Sequence, residues 1–300
     1  MSTGTNYAAN AAPAANGNVT VPAGTATSLI SDPPALPPLH LVKFSGAGFS
    51  ISGGTLSLGA GVDNAAAGTN TISAPVQQTA PLLFTNEQAS SILNLSGGLD
   101  LNGHDAIFYG AGQTNIGGAI SGSGNIDVTG IATIAANPTF TGAIAVAGLL
   151  TANATIAEAT TVEYGGLLRG TGPFSGAVTV EAGVLYPGNG TAPFTLSMNA
   201  LTLDNGNLGL RFSADNSVHS AVAASGAVAI VGALLLDFGA TPVVNTTYSN
   251  LITAPGTISG CFDEVRATPA NVVASAQCTA STVSAQVKAI DRVFASGFNY

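Results

Sequence analysis

The chain has 300 residues, of which only 7% are charged, and its formal net charge is -9. Soluble proteins usually carry about 25% charged residues, so amphipathic helices rich in Lys and Glu are excluded over most of the chain. The Lys and Arg residues number 6 and form no cluster, which excludes binding to nucleic acid or to anionic membrane surfaces. The 38 Gly residues and the many Ala, Thr, Ser, Asn and Val predict a β-rich chain with frequent turns.

Residues 1–40 are rich in Ala, Asn and Pro, and we expect an irregular N-terminal segment there. Two Pro-Pro pairs lie within 32–38, and because proline removes backbone donors this stretch is predicted to be an extended connector. Residues 18–21 are predicted to form one short strand. Met1 is not followed by a basic region and an apolar core, so no signal peptide is predicted.

From Leu41 the pattern changes to short runs in which apolar and small polar residues alternate, such as 41–44 and 55–58. Alternation over four to six positions is typical of strands with one buried face. Glycines separate these runs and are expected at the corners, where positive φ is easiest for Gly.

An internal repeat is most evident in residues 137–190. The pattern of 140–150, an aromatic residue, a hydroxyl residue, Gly, a short strand and Gly followed by two apolar residues, returns at 174–185. Residues 166–168, Gly-Leu-Leu, repeat its last part between the two, so the signal returns after 18 and then 17 residues. We interpret these stretches as windings of a right-handed parallel β-helix (β-solenoid) over residues 41–262, because a winding buries its inward face only by stacking on its neighbours.

The alternation also predicts which side chains point into the solenoid. The predicted inward positions are Ile120, Ile126, Val128, Ile144, Val146, Leu149, Val178, Val180, Val184, Leu201, Leu203, Leu208, Leu210, Val228, Ile230, Leu234 and Leu236.

Two segments carry a resemblance to a known family. They are LDLNGHDAIFYGAGQTNIGGAISGSGNIDVTG (99–130) and NPTFTGAIAVAGLL (137–150). The pattern resembles the autotransporter-associated β-strand repeat of bacterial autotransporter passengers, and the likeness covers about residues 90–262. It implies a non-enzymatic β-solenoid, either secreted or on the outer-membrane surface of a bacterium, that serves as an adhesin or structural stalk. The partners so implied are host or matrix proteins, glycans or a second copy of the chain.

The chain departs from that family in two respects. It shows no signal sequence, and the stretch after Phe262 is too short for a translocating barrel, so a fragment or a separately exported relative is expected. The longest apolar stretch, residues 221–236, is shorter than a membrane-spanning helix needs and is interrupted by Ser and Gly. We predict two buried strands there, and no transmembrane segment.

Residues 263–300 are predicted to form a C-terminal cap, with strands at 272–276 and 282–290, because the open end of a strand stack recruits other chains. Cys261 and Cys278 are the only cysteines. They form a single pair late in the chain, separated by a stretch that could be a hairpin, and this predicts a disulfide and an oxidising compartment. Two buried thiols are the alternative. The tail 291–300 resembles the ending of exported bacterial proteins.

Catalytic chemistry has few candidates. Asp100, His104 and Asp105 are the strongest set, but adjacent residues of a strand point to opposite sides, so a structural role is expected for them. Asp215 with His219, and His40, are interpreted in the same way. The segment 97–105 resembles a calcium-binding nonapeptide without its tandem repetition. No metal or cofactor is predicted.

An alternative function is cleavage of glycans, because some parallel β-helices are polysaccharide lyases or hydrolases. Such enzymes need clustered carboxylates, often with Lys or Arg. The densest set along the solenoid comprises Glu158, Glu163, Arg169 and Glu181, and ion pairs on a solvated face explain it equally well. A third hypothesis, binding of ice or another crystal through the Thr-x-Thr pairs at 3–5, 25–27, 69–71 and 139–141, ranks last because those pairs are irregularly spaced.

Overall fold

A computed structural model of the chain describes residues 13–24, 28–31 and 37–290. All regular structure in this part is β, and it contains no helix. The chain divides into two compact units, unit 1 (Met1–Glu158) and unit 2 (Ala159–Tyr300). In each unit parallel strands stack as windings of a β-solenoid, which confirms the predicted all-β, parallel β-helix class. Its right-handedness stays a prediction.

The described residues of unit 1 form seventeen short strands, separated mainly by turns at glycine. They are β1 (Val19–Val21), β2 (Ser28–Ser31), β3 (Leu39–Phe44), β4 (Ser50–Gly53), β5 (Leu56–Asn64), β6 (Gly68–Ile72), β7 (Val76–Gln78), β8 (Leu82–Asn86), β9 (Ser91–Leu95), β10 (Leu99–Asp100), β11 (Ala106–Gly110), β12 (Gln113–Ile116), β13 (Ile120–Ser121), β14 (Ile126–Val128), β15 (Ile131–Ile134), β16 (Ala143–Val146) and β17 (Leu149–Ala152).

Three parallel ladders run through unit 1, and each carries a column of inward apolar side chains. Ladder A joins β1, β3, β5, β8, β11, β14 and β16, with Val42, Val62, Phe84, Phe108, Val128 and Val146 in register. Ladder B joins β2, β4, β6, β9, β12, β15 and β17, with Ile51, Ile72, Leu95, Ile116, Ile134 and Ala152 in register. Ladder C joins the start of β5 to β7, β10 and β13. All of these side chains are at most 1% exposed.

The interior of unit 1 also holds a polar network. The Asn64 Nδ2 group donates to Asn86 Oδ1 (2.7 Å), and Asn86 Nδ2 donates in turn to Thr114 Oγ1 (2.7 Å). Asn70 Nδ2 donates to Asn64 Oδ1 (2.8 Å) and to the carbonyl oxygen of Gly46 (2.9 Å). Burial of these amides is tolerated because hydrogen bonds within and between the windings satisfy their donors and acceptors.

Unit 2 has fewer and longer strands. They are β18 (Ala159–Val162), β19 (Leu167–Gly170), β20 (Phe174–Glu181), β21 (Val184–Pro187), β22 (Thr195–Arg211), β23 (Ala221–Ala224), β24 (Val228–Asp237), β25 (Thr247–Thr253), β26 (Ile258–Gly260), β27 (Glu264–Thr268), β28 (Val272–Cys278) and β29 (Thr282–Ile290). The bounds of β23 and β24 confirm that residues 221–236 form two strands. No helix in the described residues has the length and apolar character to span a membrane.

Unit 2 repeats the arrangement of three ladders. Ladder D joins β18, β20, β22, β24 and β26, with Val162, Val180, Leu203 and Ile230 in register. Ladder E joins β19, β21, the end of β22, β24 and β27, with Leu168, Leu185, Leu208, Leu234 and Val265 in register. Ladder F joins the start of β22 to β23 and β25.

The ends of the solenoid differ from the expected boundaries. Parallel pairing already begins where Val19 aligns with Val42, inside the segment predicted to be irregular, and the predicted short strand is β1. At the other end β27 still pairs in parallel with β24, whereas β28 and β29 form an antiparallel hairpin at the strands predicted for the cap, and β29 also pairs antiparallel with β25. Residues 32–36 of the predicted connector and the tail 291–300 lie outside the described residues.

Two of the predicted inward positions are wrong. Leu149 and Val184 are half-exposed, and the residues that follow them, Leu150 and Leu185, are completely buried. Each pair consists of two apolar residues after a Gly, so the alternation does not reveal which one points inward. The other fifteen predicted positions are buried.

Candidate functional site

The outward side of ladder B forms a surface that we call the polar face. Register places Ser50, Thr71, Asn94, Asn115 and Thr133 in one column across five windings, and the column ends at Thr151, which is buried. A second column beside it contains Thr69, Ile92, Gln113, Ile131 and Leu149. The strands of this ladder contain no charged residue.

Hydrogen bonds connect the side chains of the polar face along the ladder. Asn115 Nδ2 donates to Asn94 Oδ1 (2.9 Å), and Asn94 Nδ2 donates to Thr71 Oγ1 at a longer 3.5 Å. Gln113 Nε2 donates to Asn115 Oδ1 (2.6 Å) and to Thr133 Oγ1 (3.2 Å). Cross-strand pairs of this kind contribute about 0.2–1 kcal/mol each, and they also hold the amides in fixed orientations.

The chemistry available at the polar face is hydrogen bonding and apolar contact. Amides and hydroxyls retain unused donors and acceptors when each makes only one or two bonds. The strands that form the face bring no charge to it, so attraction between charges contributes little there, and the bonds formed on it depend weakly on salt. The arrangement is therefore suited to a neutral, polar partner surface.

The sequence did not single out these residues. Thr71, Asn94, Asn115 and Thr133 follow one another at 23, 21 and 18 residues, because the windings differ in length. The pairs of Thr proposed for crystal binding contribute only Thr69 and Thr71 to the face, and the pairs at 3–5 and 25–27 lie outside the described residues. The absence of charge from successive strands was the only available signal.

In the structure, Asp100 and Asp105 have separate hydrogen-bond partners. Asp100 accepts hydrogen bonds from Gln77 Nε2 and the Asn102 amide, both at 3.1 Å. Asp105 Oδ1 accepts from the amide of Asn125 (2.7 Å). Among the described residues no hydrogen bond or ion pair joins the His104 ring to either carboxylate. The two carboxylates thus act on the backbone and side chains of neighbouring windings.

Asp127 occupies the winding after Asp105. It lies opposite Ile107 in ladder A, and partial burial, with a contribution from the charge of Asp105, raises the pKa of its carboxyl group. A raised pKa is also typical of catalytic acids.

Metal binding is a separate question. No group of three or more His, Cys, Asp and Glu residues that would suit a metal ion occurs in the described part of the chain.

Asp215 and His219 also belong to different environments. Asp215 Oδ1 accepts from Ser217 Oγ (2.7 Å), Ser213 Oγ (2.7 Å) and the Ser217 amide (3.0 Å). These bonds lower the pKa of Asp215 to about 2. His219 Nδ1–H donates to the Ser220 carbonyl oxygen (2.9 Å). The third candidate histidine, His40, is exposed on β3.

The acidic set proposed for glycan cleavage is divided between the units. Glu158, in unit 1, is 7% exposed, and its Oε2 accepts from the amide of Ala157 (3.0 Å). Glu163 and Glu181 are exposed in unit 2 and directly follow Val162 and Val180, which are register partners. Arg169 faces Tyr186 across ladder E. The structure thus places two of the three carboxylates on adjacent windings.

The cysteines are joined. Cys261 and Cys278 form a disulfide with a Cα–Cα distance of 5.7 Å, as predicted. Cys278 is the last residue of β28, so the bond ties the antiparallel hairpin to the segment between β26 and β27.

Comparison with known protein families finds no match for this chain. No curated protein matches its sequence either.

Proposed function

We propose that the chain is a non-enzymatic, passenger-type β-solenoid, secreted or displayed on a bacterial surface, and that it serves as an adhesin or structural stalk. The polar face supports this function, because a column of amide and hydroxyl side chains runs along it beside a partly apolar column, on strands that are free of charge. The disulfide supports export, since such bonds persist in oxidising compartments.

The expected partners are surfaces that offer many neutral polar groups, such as glycans, matrix proteins or a second copy of the chain. Binding on such a face is expected to be weak for each group and to gain strength from repetition. It is also expected to persist at high salt, in contrast to binding through charge clusters.

Display of the chain on a non-adherent bacterium tests the proposal. We expect increased attachment to matrix-coated surfaces or increased cell aggregation, with little change as the salt concentration rises. The double variant Asn94→Asp/Asn115→Asp adds two charges to the polar face with almost no change in volume, and it should abolish the gain. Asn250→Asp, which changes an exposed asparagine of unit 2, is the matched control and should behave as wild type.

Thermal melting of the purified variants separates loss of adhesion from loss of folding. Unchanged attachment and aggregation on display would remove the adhesive function. The same would follow if Asn250→Asp reduced attachment as much as the double variant.

Glycan cleavage remains the second candidate, favoured by the position of Glu163 and Glu181 on adjacent windings. Both carboxylates are exposed, whereas a general acid in a glycosidase usually lies in an apolar pocket. Incubation with a panel of acidic and neutral polysaccharides would reveal new reducing ends or unsaturated products. If Glu181→Gln abolished such products, the enzymatic reading would replace the adhesive one.

A further inference from the structure

A groove of about 430 Å³ lies on the outward side of ladder E, in unit 2. Its lining includes Tyr186, Leu235, Asp237, Arg266 and Thr268. These residues come from three strands, β21, β24 and β27, and Leu235 and Arg266 are register partners. The volume falls within the range of small-molecule sites.

The floor of the groove is the aromatic ring of Tyr186, which lies over the backbone at Gly209. A Cβ atom at Gly209 would be only 2.0 Å from Cε1 and 2.2 Å from Cζ of Tyr186. The ring therefore occupies the place where a side chain at position 209 would project, and it covers the backbone there. Because Tyr186 also lines the groove, its other side is available to a ligand, next to the half-exposed Leu235.

The charges around this floor are paired. Arg211 Nη2 lies 2.9 Å from Asp237 Oδ2, and Arg266 Nη2 lies 2.6 Å from Glu264 Oε2. A guanidinium has five donors and a carboxylate about four acceptor sites, so each pair neutralises its charge and still has hydrogen-bonding capacity. Burial and the charge of Asp237 raise the pKa of the Tyr186 phenol, which keeps it a neutral donor beside the pairs.

We propose that this groove binds a neutral saccharide. A sugar ring would stack on Tyr186 and contact Leu235, and its hydroxyl groups would bond to Asp237, Arg266 and Thr268. A sugar presents an apolar C–H face and a rim of hydroxyls, which matches an aromatic floor bordered by forked donors and acceptors. An anionic ligand would have to displace Asp237 and Glu264 from their arginines, and a purely apolar ligand would leave these pairs without solvent or substitute bonds.

This site is independent of the polar face, because the groove lies in unit 2 and the polar face in unit 1. Either surface can bind a ligand when the other does not. The saccharide site also requires no catalysis, since the groove is assigned to binding alone.

Titration of the full chain with three neutral trisaccharides, maltotriose, cellotriose and triacetylchitotriose, tests the proposal. Calorimetry measures binding directly. Tyrosine fluorescence reports it as well, because the chain contains no Trp. We expect at least one of these sugars to bind with a Kd on the order of 1 mM or tighter.

Three variants identify the site. Tyr186→Ala should weaken binding by about tenfold or more, equivalent to about 1.4 kcal/mol, whereas Tyr186→Phe keeps the platform and should stay close to wild type. Tyr164→Ala is the matched control, because Tyr164 also belongs to unit 2 and is 86% exposed outside the groove. Gly209→Ala should displace the Tyr186 ring and weaken binding as well.

Several results would overturn the proposal. These are no binding of any of the three sugars, equal loss from Tyr164→Ala and Tyr186→Ala, or tighter binding of trigalacturonate than of the neutral sugars. If the Tyr186 ring only shields Gly209, Tyr186→Ala should lower the melting temperature and leave the Kd unchanged. That result would also exclude the saccharide site.

Discussion

The interiors of the two units solve the same stacking problem with different chemistry. In unit 1 a chain of buried amides, Asn70, Asn64 and Asn86, connects successive windings through hydrogen bonds. Unit 1 also stacks Phe84 on Phe108, with ring centroids 5.0 Å apart. In unit 2 the aromatic packing is a cluster, with the Phe212 ring centroid 4.4 Å from that of Phe238 and 4.7 Å from that of Tyr248, and we infer that this cluster sets the register there.

We infer from this difference that the apolar residues of a parallel winding do not by themselves fix its register against the next winding. Apolar columns such as those of ladder B or ladder E would still bury their surface after a shift by two residues, because the side-chain period is two. A shifted asparagine loses its partner and a shifted aromatic ring loses its cavity, so each device penalises the wrong alignment. Specificity therefore depends on a few residues in each unit.

The largest effect is expected from Phe212→Ala. Phe212 is 4% exposed, and removal of a buried ring typically costs about 3–5 kcal/mol. Chemical denaturation measures this loss, and Tyr164→Ala provides a control that should change the free energy of unfolding by less than about 0.5 kcal/mol. Equal effects of the two variants would mean that the aromatic cluster does not stabilise unit 2.

The disulfide is the next strongest element of unit 2. Replacement of Cys261 and Cys278 by Ser should lower the free energy of unfolding by about 3 kcal/mol, as the chain-entropy estimate gives for a loop of this length, since the sequence separation is 17. Hydrogen exchange of amides in β28 and β29 locates the loss. If protection of this hairpin did not change, the bond would contribute nothing to the cap.

For unit 1 the matching variant is Asn86→Ala. It leaves Asn64 Nδ2 and Thr114 Oγ1 without the partners they have in wild type. Each buried polar group left unsatisfied costs about 1–3 kcal/mol, so we expect a loss of about 2–3 kcal/mol in denaturation. Asn199→Ala removes an exposed asparagine and is the control. A loss no larger than that of the control would contradict the role assigned to the network.

Gln78→Leu should act in the opposite direction. Gln78 is completely buried, and within the described residues neither its Oε1 nor its Nε2 has a hydrogen-bond partner. Removal of an unsatisfied buried amide at similar volume should raise the free energy of unfolding by about 1 kcal/mol. A fall in stability on denaturation would show that this amide is satisfied in solution, for example by a buried water.

These interior polar residues mark the limit of what the sequence predicts. Alternation correctly predicted most inward positions, because apolar side chains at Ile126 and Val128 flank a polar Asp127. Continued from Val62 and Phe84, the same alternation places Asn64 and Asn86 on the inward side, where both are 0% exposed, but their polarity favours the exterior. A polar residue inside a solenoid is recognisable only when its partner one winding away is known.

The two candidate surfaces could not be predicted for a related reason. Winding length varies, from 17 residues between Leu168 and Leu185 to 31 between Leu234 and Val265. A fixed repeat therefore does not align Asn94 with Asn115, and it does not bring Tyr186 onto Gly209. The cysteines were predictable because a chain with only two of them allows one intramolecular disulfide.

The smallest effect concerns the turn at 213–217, which follows Phe212 of the aromatic cluster. Hydrogen bonds from Ser217 and Ser213 lower the pKa of Asp215 to about 2. A lowered pKa stabilises the folded turn at pH values above the unfolded-state pKa of about 3.9, and this contribution is lost as the pH falls through about 2. NMR titration of the Asp215 carboxyl carbon should therefore give a midpoint near 2, with faster exchange of the Ser217 amide below it. The variant Ser213→Ala/Ser217→Ala should return the midpoint toward about 3.9, since the hydroxyl donors that favour the ionised carboxylate are absent. Because Asp215 is exposed, global stability should hardly change in the same pH range, and a wild-type midpoint near that of the variant would show that the turn does not form in solution.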